Sequence, residues 1–396
     1  MDLKIFTDNI EEKALQQIHT LLEQPAFSEC KVRIMPDVHA GAGCVIGFTA
    51  NLGDKVIPNI VGVDIGCGML TIPLGPIRID YEKLDDVINE QIPHGMDAHD
   101  HALPEFYRYF NLQDLHCYRG LKDIDWLERS LGTLGGGNHF IEVDEGDFNE
   151  KFLVIHTGSR NLGKQVCEYY QNLAIRNMSG KAQYLQDRKD LIRKLKEEGR
   201  ESEIAGALRT LEMNRPEASC PKELCWLEGA DRQEYLDDMR FCQRFASWNR
   251  TIIAKNILVA MNWGCRDGFE TIHNYIGDDN TVRKGAISAR EGERVLIPIN
   301  MRDGCIIGVG KGNADWNYSA PHGAGRIMSR AEARRRVTLD EFAESMRGVY
   351  TTSVGLDTID ESPMAYKTMD EILKYIQPTV EVEAIIKPVY NFKAGE

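Results

Sequence analysis

The chain has 396 residues, of which 42% are hydrophobic and 27% are charged, and its formal net charge is −14. This composition is typical of globular proteins. It excludes a general nucleic-acid coat, because such a surface would be basic. No run of about 18 apolar residues occurs, so we expect no membrane span. The ten cysteines include no CxxC pair, which favours free thiols in the reducing cytoplasm.

The first part of the chain alternates predicted strands and helices. The acid-rich N-terminus predicts a short strand and then a helix, without the apolar core of a targeting signal. Residues 30–75 alternate apolar runs with glycine turns, which predicts β-structure. Residues 81–130 predict mainly helix. Residues 131–145 predict a glycine loop that enters a strand, and residues 151–170 predict a buried strand, a turn and a helix.

The second part begins with an unusually charged segment. Residues 180–215 have sparse apolar spacing and predict an exposed helical excursion inserted in the core fold. Its simplest interpretation is a solvated helical face, and the alternative is a docking arm for RNA or a partner. Residues 231–263 predict a long helix, residues 270–312 strands, and residues 329–348 a helix with a basic start. Because no linker or repeat interrupts the chain, we expect one large α+β domain over residues 1–396.

Five segments share one pattern: a strand, a glycine-rich turn, and a side chain that can bind metal or act as a nucleophile. These side chains are Asp64 and Cys67 in VDIGCGM, Asn138, His139 and Glu142 in GGGNHFIEV, His156 in VIHTGSRNLG, His273 and Asn274 in TIHNY, and His322 in NYSAPHGAGRIMSR. Carboxylate, thiolate and imidazole together suit Mn, Zn or Fe. A thiolate can bridge two ions, the usual arrangement for chemistry at phosphorus. If Asp64 and Cys67 are considered alone, the alternative to a pair of metal ligands is a turn-capping carboxylate and a buried thiol.

The glycine loops suggest a second use, which is binding phosphate. LGGGN, HTGSRNLG and PHGAGR expose backbone N–H groups, but none matches the P-loop pattern GxxxxGK[ST]. His322 is followed by Arg326 and Arg330, and if this run is helical, all three lie on one face. An imidazole near guanidinium groups can act as a nucleophile toward a nucleotide phosphate. The alternative is a histidine at a helix start with solvated arginines.

Together these segments resemble the RtcB family of RNA ligases, which join RNA ends using GTP and manganese. MPDVHAGAG, VGVDIGCGM, GTLGGGNHFIEV, HTGSRNLG and SAPHGAGRIMSR resemble the family's hallmark segments, in its order, across residues 35–330. The terminal IKPVYNFKAGE resembles the family's ending. The resemblance implies a single large RtcB-like α+β domain around a central metal-containing cleft.

The resemblance also implies roles for individual residues. Two Mn²⁺ ions per chain would share Cys67, with Asp64, Cys67 and His139 around one ion and Cys67, His156 and His273 around the other. His322 would carry GMP as a covalent phosphoramidate. The guanylate would contact Asn138, Glu142, Asn274, Pro298, Asn300, Met301, Cys305, Gly323, Ala324, Gly325 and Lys393. RNA phosphates would be held by Arg160 and Arg326.

The implied reaction has three steps. His322 attacks the α-phosphorus of GTP and pyrophosphate leaves. GMP passes to an RNA 3′-phosphate, which the family generates from a 2′,3′-cyclic phosphate. The 5′-hydroxyl of a second RNA then attacks the activated end and GMP leaves. The implied partners are GTP and RNA with these ends, in RNA repair or tRNA splicing, with no DNA or membrane expected and a protein partner left open.

The loop PINMRDGC (298–305) departs from the family's PGSMG-like loop. It carries the charged Arg302 and Asp303, and Cys305 stands where a small hydroxyl residue is common. These departures favour a divergent branch that serves RNA repair. Two other functions compete: a dinuclear metal phosphoesterase or nuclease, which needs no histidine nucleophile, and a non-catalytic RNA-binding or metal-storage protein.

Overall fold

The computed structural model describes residues 2–179, 181–213 and 220–395, with the side chains of 181–183 left out. Within these ranges the α-helices are α1 (Glu12–Leu22), α2 (Pro58–Val61), α3 (Tyr81–Gln91), α4 (Pro104–Tyr109), α5 (Ile124–Arg129), α6 (Arg160–Met178), α7 (Lys181–Glu197), α8 (Ile204–Met213), α9 (Gly229–Met261), α10 (Arg330–Arg336), α11 (Leu339–Ser345) and α12 (Met369–Ile376). The strands are β1 (Asp2–Ile5), β2 (Lys31–His39), β3 (Ile46–Asn51), β4 (Gly68–Gly75), β5 (Phe140–Glu145), β6 (Lys151–Thr157), β7 (Phe269–Ile272), β8 (Tyr275–Ile276), β9 (Thr281–Lys284), β10 (Ala286–Ser288), β11 (Arg294–Asn300), β12 (Gly304–Gly310), β13 (Ser319–Pro321) and β14 (Val380–Lys393).

A seven-stranded antiparallel sheet in the order β11-β12-β14-β5-β6-β4-β7 forms the base of the fold. Residues that are paired across neighbouring strands point to the same face. The register therefore aligns two rows of side chains on one face across β4, β6, β5 and β14. The first row is Met69, His156, Phe140 and Lys393, and the second is Thr71, Val154, Glu142 and Asn391. Several residues proposed for the site thus share one surface.

The opposite face of this sheet is apolar and packs on helices. Ile141, Val143, Leu153 and Ile155 are fully buried in one cluster with side chains of α3 and α9. Alternation along β5 and β6 separates the two faces, because successive side chains of a strand point in opposite directions. The hydrophobic contact with the helices therefore fixes which side chains face away from them.

A five-stranded sheet in the order β1-β2-β3-β9-β8 forms a second wall, with β1 parallel to β2 and the other pairs antiparallel. A two-stranded sheet joins β10 and β13. The chain passes from β13 directly into His322. The sheets and helices together confirm the α+β prediction.

Most predicted elements are present. The strand and helix at the N-terminus, the long helix α9 of 33 residues and the strands after residue 268 agree with the sequence pattern. Residues 81–130 are mainly helical, as predicted, but the helical structure is divided into the short helices α3, α4 and α5 and two 3-10 turns at Leu112–Asp114 and Tyr118–Gly120. The helix α3 ends before Ile92–Pro93, since the residue before proline disfavours helical backbone angles.

The predicted excursion over 180–215 forms the two helices α7 and α8, and its positions 180, 214 and 215 lie outside the described residues. Both helices contact each other and are mostly exposed. The basic segment at 329–348 divides into α10 and α11, because Thr338 and Glu341 form a capping box that starts the second helix. Among the described helices, none is both long and apolar enough to cross a membrane.

Candidate active site

A cavity of about 460 Å³ lies against the face of the seven-stranded sheet that carries the two rows of side chains. Its lining comes from six regions: Glu11 and Lys13 at the start of α1, residues 39–42 at the end of β2, the sheet face, residues 298–301 at the end of β11, residues 322–330, and Glu361 with Tyr366. The segments that the sequence singled out are thus brought together from distant parts of the chain.

The predicted metal ligands form one contiguous cluster beside this cavity. The Cys67 sulfur lies 3.5 Å from Nε2 of His139 and 3.2 Å from Nε2 of His156. Nε2 of His139 is also 3.0 Å from Asp64 Oδ2. Donor atoms of Asp64, Cys67 and His139 lie within 4.8 Å of one another, and so do those of Cys67, His156 and His273. Cys67 is therefore the member common to two potential metal sites.

Backbone carbonyls orient two of these imidazoles. Nδ1 of His139 is 3.0 Å from the Leu134 carbonyl, and Nδ1 of His156 is 3.1 Å from the Asn138 carbonyl. A proton on each Nδ1 leaves the Nε2 lone pair directed at Cys67, which is how metal-binding histidines are commonly held. Nδ1 of the buried His273 has no hydrogen-bond partner. This combination of acceptors fits a pair of divalent cations.

The protonation of the cluster agrees with this interpretation. Burial is the main cause that lowers the pKa values of His156 and His273, so both imidazoles are neutral, as metal binding requires. Burial and the Asp64 carboxylate raise the pKa of Cys67. For Asp64 burial acts to raise the pKa, but the neighbouring His139 outweighs it and the pKa is lowered. A cation would supply the positive charge that makes the thiolate favourable.

His322 lies next to this cluster and is oriented by a residue that the sequence analysis did not single out. Its ring centroid is 4.7 Å from that of His273. Nδ1 of His322 is 2.7 Å from Oδ2 of the fully buried Asp37, which also accepts the His322 backbone N–H at 3.2 Å. The sequence signal that could have identified Asp37 is its carboxylate within the otherwise apolar strand β2, because a buried carboxylate requires a partner.

The loop after His322 depends on close backbone packing. Gly325 has φ of +78°, and a Cβ atom there would lie 2.2 Å from the Asp37 carbonyl oxygen. Only glycine combines this conformation with so close an approach. The loop therefore lies directly against the strand that carries the partner of His322.

The run from His322 to Arg330 is not helical, because α10 begins only at Arg330. The condition for placing His322, Arg326 and Arg330 on one helix face is thus not met. Arg326 instead donates to Glu361 Oε1 at 3.1 Å and to the Tyr366 hydroxyl at 3.1 Å. The segment after His322 is not helical because its glycines favour turns over helix.

Glu361 connects several side chains at the other side of the cavity. Its Oε2 accepts from Lys393 Nζ at 2.7 Å and from the Tyr366 hydroxyl at 2.6 Å. Burial alone would raise the pKa of Glu361, but Lys393 and Arg326 outweigh it and lower the pKa to about 2. The carboxylate is therefore ionised and compensated within the chain. No sequence motif marked this residue.

Most of the predicted nucleotide contacts line the cavity. These residues are Asn138, Glu142, Pro298, Asn300, Met301, Gly323, Ala324, Gly325 and Lys393. Asn274 and Cys305 do not line it. The Asn274 side chain instead donates to the Asp64 carbonyl at 3.3 Å and accepts from the Gly285 backbone N–H at 2.9 Å. Cys305 lies behind Glu142 and donates to its Oε1 at 3.4 Å.

The charged loop at residues 302–303 folds onto itself. Asn300 Oδ1 accepts the backbone N–H groups of Arg302 at 3.0 Å and Asp303 at 2.9 Å. The Arg302 guanidinium pairs with Asp303 at 2.7 Å. The two charges therefore neutralise each other, and neither residue lines the cavity. The unusual sequence of this loop does not fill the space that the cavity offers.

Arg160 lies at the first potential metal site rather than in the cavity lining. Its guanidinium donates to Thr133 Oγ1 at 3.3 Å, and its Nη1 lies 3.3 Å from His139 Nδ1. A Cβ atom at Gly135 would lie 1.7 Å from Arg160 Nη1, so the glycine makes room for the guanidinium. The positive charge beside Asp64 is thus fixed by the glycine-rich loop before β5.

Comparison with known proteins agrees with the fold and the cluster. The family model described as tRNA-splicing ligase RtcB matches residues 17–112 and 121–394. These features define a class of protein: an α+β fold with two adjacent groups of potential metal ligands beside a cavity of about 460 Å³. The chain belongs to the RtcB family.

Similar proteins span nearly the whole chain. It is 28% identical over 426 residues to the RNA-splicing ligase RtcB of Escherichia coli K12, covering 97% of this chain and 95% of that protein. It is 27% identical over 465 residues to the tRNA-splicing ligase RtcB of Aeropyrum pernix, covering 93% and 89%. It is 25% identical over 417 residues to the RNA-splicing ligase RtcB2 of E. coli ATCC 25922, covering 97% and 93%.

Proposed function

We propose that this protein is an RNA ligase that uses GTP and Mn²⁺ to join RNA ends bearing a 3′-phosphate or 2′,3′-cyclic phosphate to 5′-hydroxyl ends, through a covalent GMP on His322. The observation that carries the proposal is the position of His322. Its imidazole is held by a buried carboxylate, lines the cavity and lies next to His273 of the potential metal cluster. A phosphoesterase does not need this arrangement.

The Asp37 hydrogen bond prepares His322 as a nucleophile. With the proton of the imidazole on Nδ1 and directed at Asp37, the lone pair is on Nε2. Nε2 would attack the α-phosphorus of GTP, forming a P–N bond while the bond to pyrophosphate breaks and its electron pair leaves with pyrophosphate. Asp37 would stabilise the positive charge that develops on the ring.

Two cations would bind at the cluster of five donor side chains. Asp64, Cys67 and His139 would hold one, and Cys67, His156 and His273 the other, because the structure groups these donors around the shared sulfur. When bound, Mn²⁺ would supply Lewis-acid stabilisation of charge on phosphoryl oxygens.

Other side chains would bind and orient the nucleotide and the RNA. Glu142 would accept hydrogen bonds from the guanylate, and the backbone N–H groups around Gly323 would contact phosphate oxygens. Lys393 would offer its remaining donors beside its bond to Glu361. An RNA phosphate would share the Arg326 guanidinium with Glu361.

The RNA steps use the same cavity. A 3′-phosphate oxygen would attack the phosphorus of the His322 adduct, which breaks the P–N bond and returns the imidazole. The 5′-hydroxyl of the second RNA would then attack the activated 3′-phosphate and GMP would leave. The negative charge of the chain is compatible with this, since a few fixed arginines and cations suffice for a local phosphate site.

We further propose a cytoplasmic role in RNA repair rather than routine tRNA splicing. The altered loop at residues 298–305 supports the repair role. The absence of a CxxC pair or a disulfide-type framework among the cysteines supports the cytoplasmic location. Restoration of tRNA splicing in cells that lack their own ligase would count against the repair assignment.

The intact mass of the protein after incubation with GTP and Mn²⁺ tests the proposed chemistry. We expect an acid-labile increase of one GMP in the wild type and none in His322→Ala. His116→Ala is the matched control, because this histidine is half exposed and does not line the cavity. A wild type that binds metal but forms no adduct would contradict the proposal and favour the phosphoesterase.

A further inference from the structure

A third group of potential metal ligands lies beneath the nucleotide side of the cavity. Glu142 and Asp144 are two residues apart on β5, so their side chains share a face of the sheet. Cys305 on β12 reaches the same place across β14. Donor atoms of the three residues lie within 4.8 Å of one another, and all three side chains are buried. None of them belongs to the two sites around Cys67.

The acceptors in this group outnumber the donors. Neither carboxylate oxygen of the fully buried Asp144 has a hydrogen-bond partner. The amide of Asn391 donates to Glu142 Oε2 at 2.7 Å, but its own oxygen is buried without a partner. Three buried oxygen atoms therefore lack a donor, which costs free energy unless something binds them.

No positive side chain among the described residues compensates these carboxylates directly. Cys305 lies in an apolar cluster with Phe140, Val154 and Leu296. Lys393 lies near enough to lower the pKa of Glu142, but its Nζ is bonded to Glu361. Burial nevertheless raises the pKa of Glu142 to about 7 and that of Asp144 well above its usual range. Ionisation of both carboxyl groups at this place is therefore unfavourable unless a cation lies beside them.

A single proton shared by the two carboxyl groups satisfies at most one of the three oxygen atoms. A divalent cation satisfies several at once and balances both carboxylates. One thiolate with carboxylate and amide oxygens is a mixed soft and hard donor set, which suits a borderline ion such as Zn²⁺ better than Mg²⁺ or Ca²⁺. Glu142 lines the cavity, so an ion can enter from there.

We propose that Glu142, Asp144 and Cys305 form a third divalent-cation site, selective for Zn²⁺-like ions, in the floor of the cavity. Asn391 is the candidate fourth ligand through its amide oxygen. The bound ion would hold the Glu142 carboxylate in a fixed position in the cavity lining. This inference does not depend on the ligase chemistry, because it concerns metal content and not turnover.

The test compares metal content in full-length variants. Each protein is stripped with a chelator, saturated with Zn²⁺, freed of excess ion and analysed by mass spectrometry of the metal. We expect Asp144→Asn and Cys305→Ser each to hold one ion fewer per chain than the wild type. Thr71→Val is the matched control, since it removes another buried and unpartnered polar group on the same sheet and is expected to keep the wild-type content.

A second measurement identifies the sulfur ligand. With Co²⁺ in place of Zn²⁺, the wild type minus Cys305→Ser difference spectrum is expected to show a thiolate-to-cobalt charge-transfer band. Equal metal content in all four proteins, together with an infrared band of a protonated carboxyl group that disappears in Asp144→Asn, would overturn the proposal. This result would indicate instead that Glu142 and Asp144 share a proton. Because Cys305→Ser is nearly isosteric, it keeps the test valid if Asp144→Asn does not fold.

Discussion

Two clusters of polar side chains flank the same cavity, but their charges are balanced in different ways. Around Cys67, one carboxylate, one thiol and three imidazoles converge, and backbone carbonyls bonded to Nδ1 of His139 and His156 leave the Nε2 lone pairs directed at the sulfur. Around Glu361, the carboxylate accepts from Lys393, Arg326 and Tyr366. The first cluster offers lone pairs that a cation from outside the chain could bind, whereas the charge of the Glu361 carboxylate is balanced within the chain.

The difference teaches how to separate a binding site from a structural network. Buried ionisable groups occur in both clusters, so burial alone does not identify a site. The direction of the hydrogen bonds does, because acceptors without donors predict a bound cation and paired charges predict a rigid support. We therefore expect substitutions in the first cluster to remove metal and activity, and substitutions in the second to reduce stability first.

The largest effect is expected for Cys67→Ala, which removes the donor common to both metal sites. Bound Mn²⁺ is expected to fall close to zero, and formation of the GMP adduct is expected to stop. Metal analysis and intact mass measure the two effects. Cys44→Ala removes a buried thiol elsewhere and serves as the control. Full Mn²⁺ content in Cys67→Ala would show that the cluster does not depend on the shared sulfur.

The next largest effect is expected for Asp37→Asn. An amide in place of the carboxylate no longer favours the proton on His322 Nδ1, so we expect adduct formation to slow by roughly 10²–10⁴-fold. Rapid-quench measurement of the adduct gives the rate. Mn²⁺ content is expected to stay at the wild-type level, since Asp37 contacts none of the donors around Cys67 in the described structure. An unchanged rate would remove Asp37 from the mechanism.

An intermediate effect is expected for Glu361→Gln, and it depends on pH. The folded pKa of about 2 lies below the ordinary value of 4.5, so the carboxylate stabilises the fold above about pH 4.5 and loses this contribution as the pH falls toward 2. A shift of this size corresponds to roughly 3 kcal/mol. Urea unfolding at pH 7 is expected to show a loss of this order that shrinks in acid.

The control for this substitution is Glu344→Gln, whose side chain is 60% exposed in its pair with Arg347. We expect little change in its unfolding free energy at any pH, because exposed pairs contribute little. A loss in Glu361→Gln that is independent of pH would instead indicate a packing defect.

The smallest effect is expected for Arg330→Gln. The Arg330 side chain is 39% exposed, and its Nη2 lies 3.7 Å from Glu361 Oε1. We expect a loss of at most about 1 kcal/mol in the unfolding free energy. Urea unfolding beside Glu361→Gln measures it. A loss as large as that of Glu361→Gln would mean that the partly exposed Arg330 is also needed to neutralise the Glu361 carboxylate.

The sequence was sufficient to predict local structure and the chemical types of the site. Glycine turns after apolar runs predicted β4, β5 and β6 and placed Cys67, His139 and His156 at or near their ends. Between residues 81 and 130 it predicted helix correctly, but not the division into short segments by prolines and turns. It left open whether the run after His322 is helical, and the structure has a loop there.

By itself the sequence determined the family, the α+β class and the side chains able to bind metal, because these depend on residue type and on local periodicity. Only the tertiary structure decided that Asp37 holds His322, that Glu361 engages Arg326 and Lys393, and that Asp144 lies beside Glu142 and Cys305. The physical reason is that a partner for a buried charge can come from any distance along the chain. Strand register and sheet packing select it, and neither is encoded in a short motif.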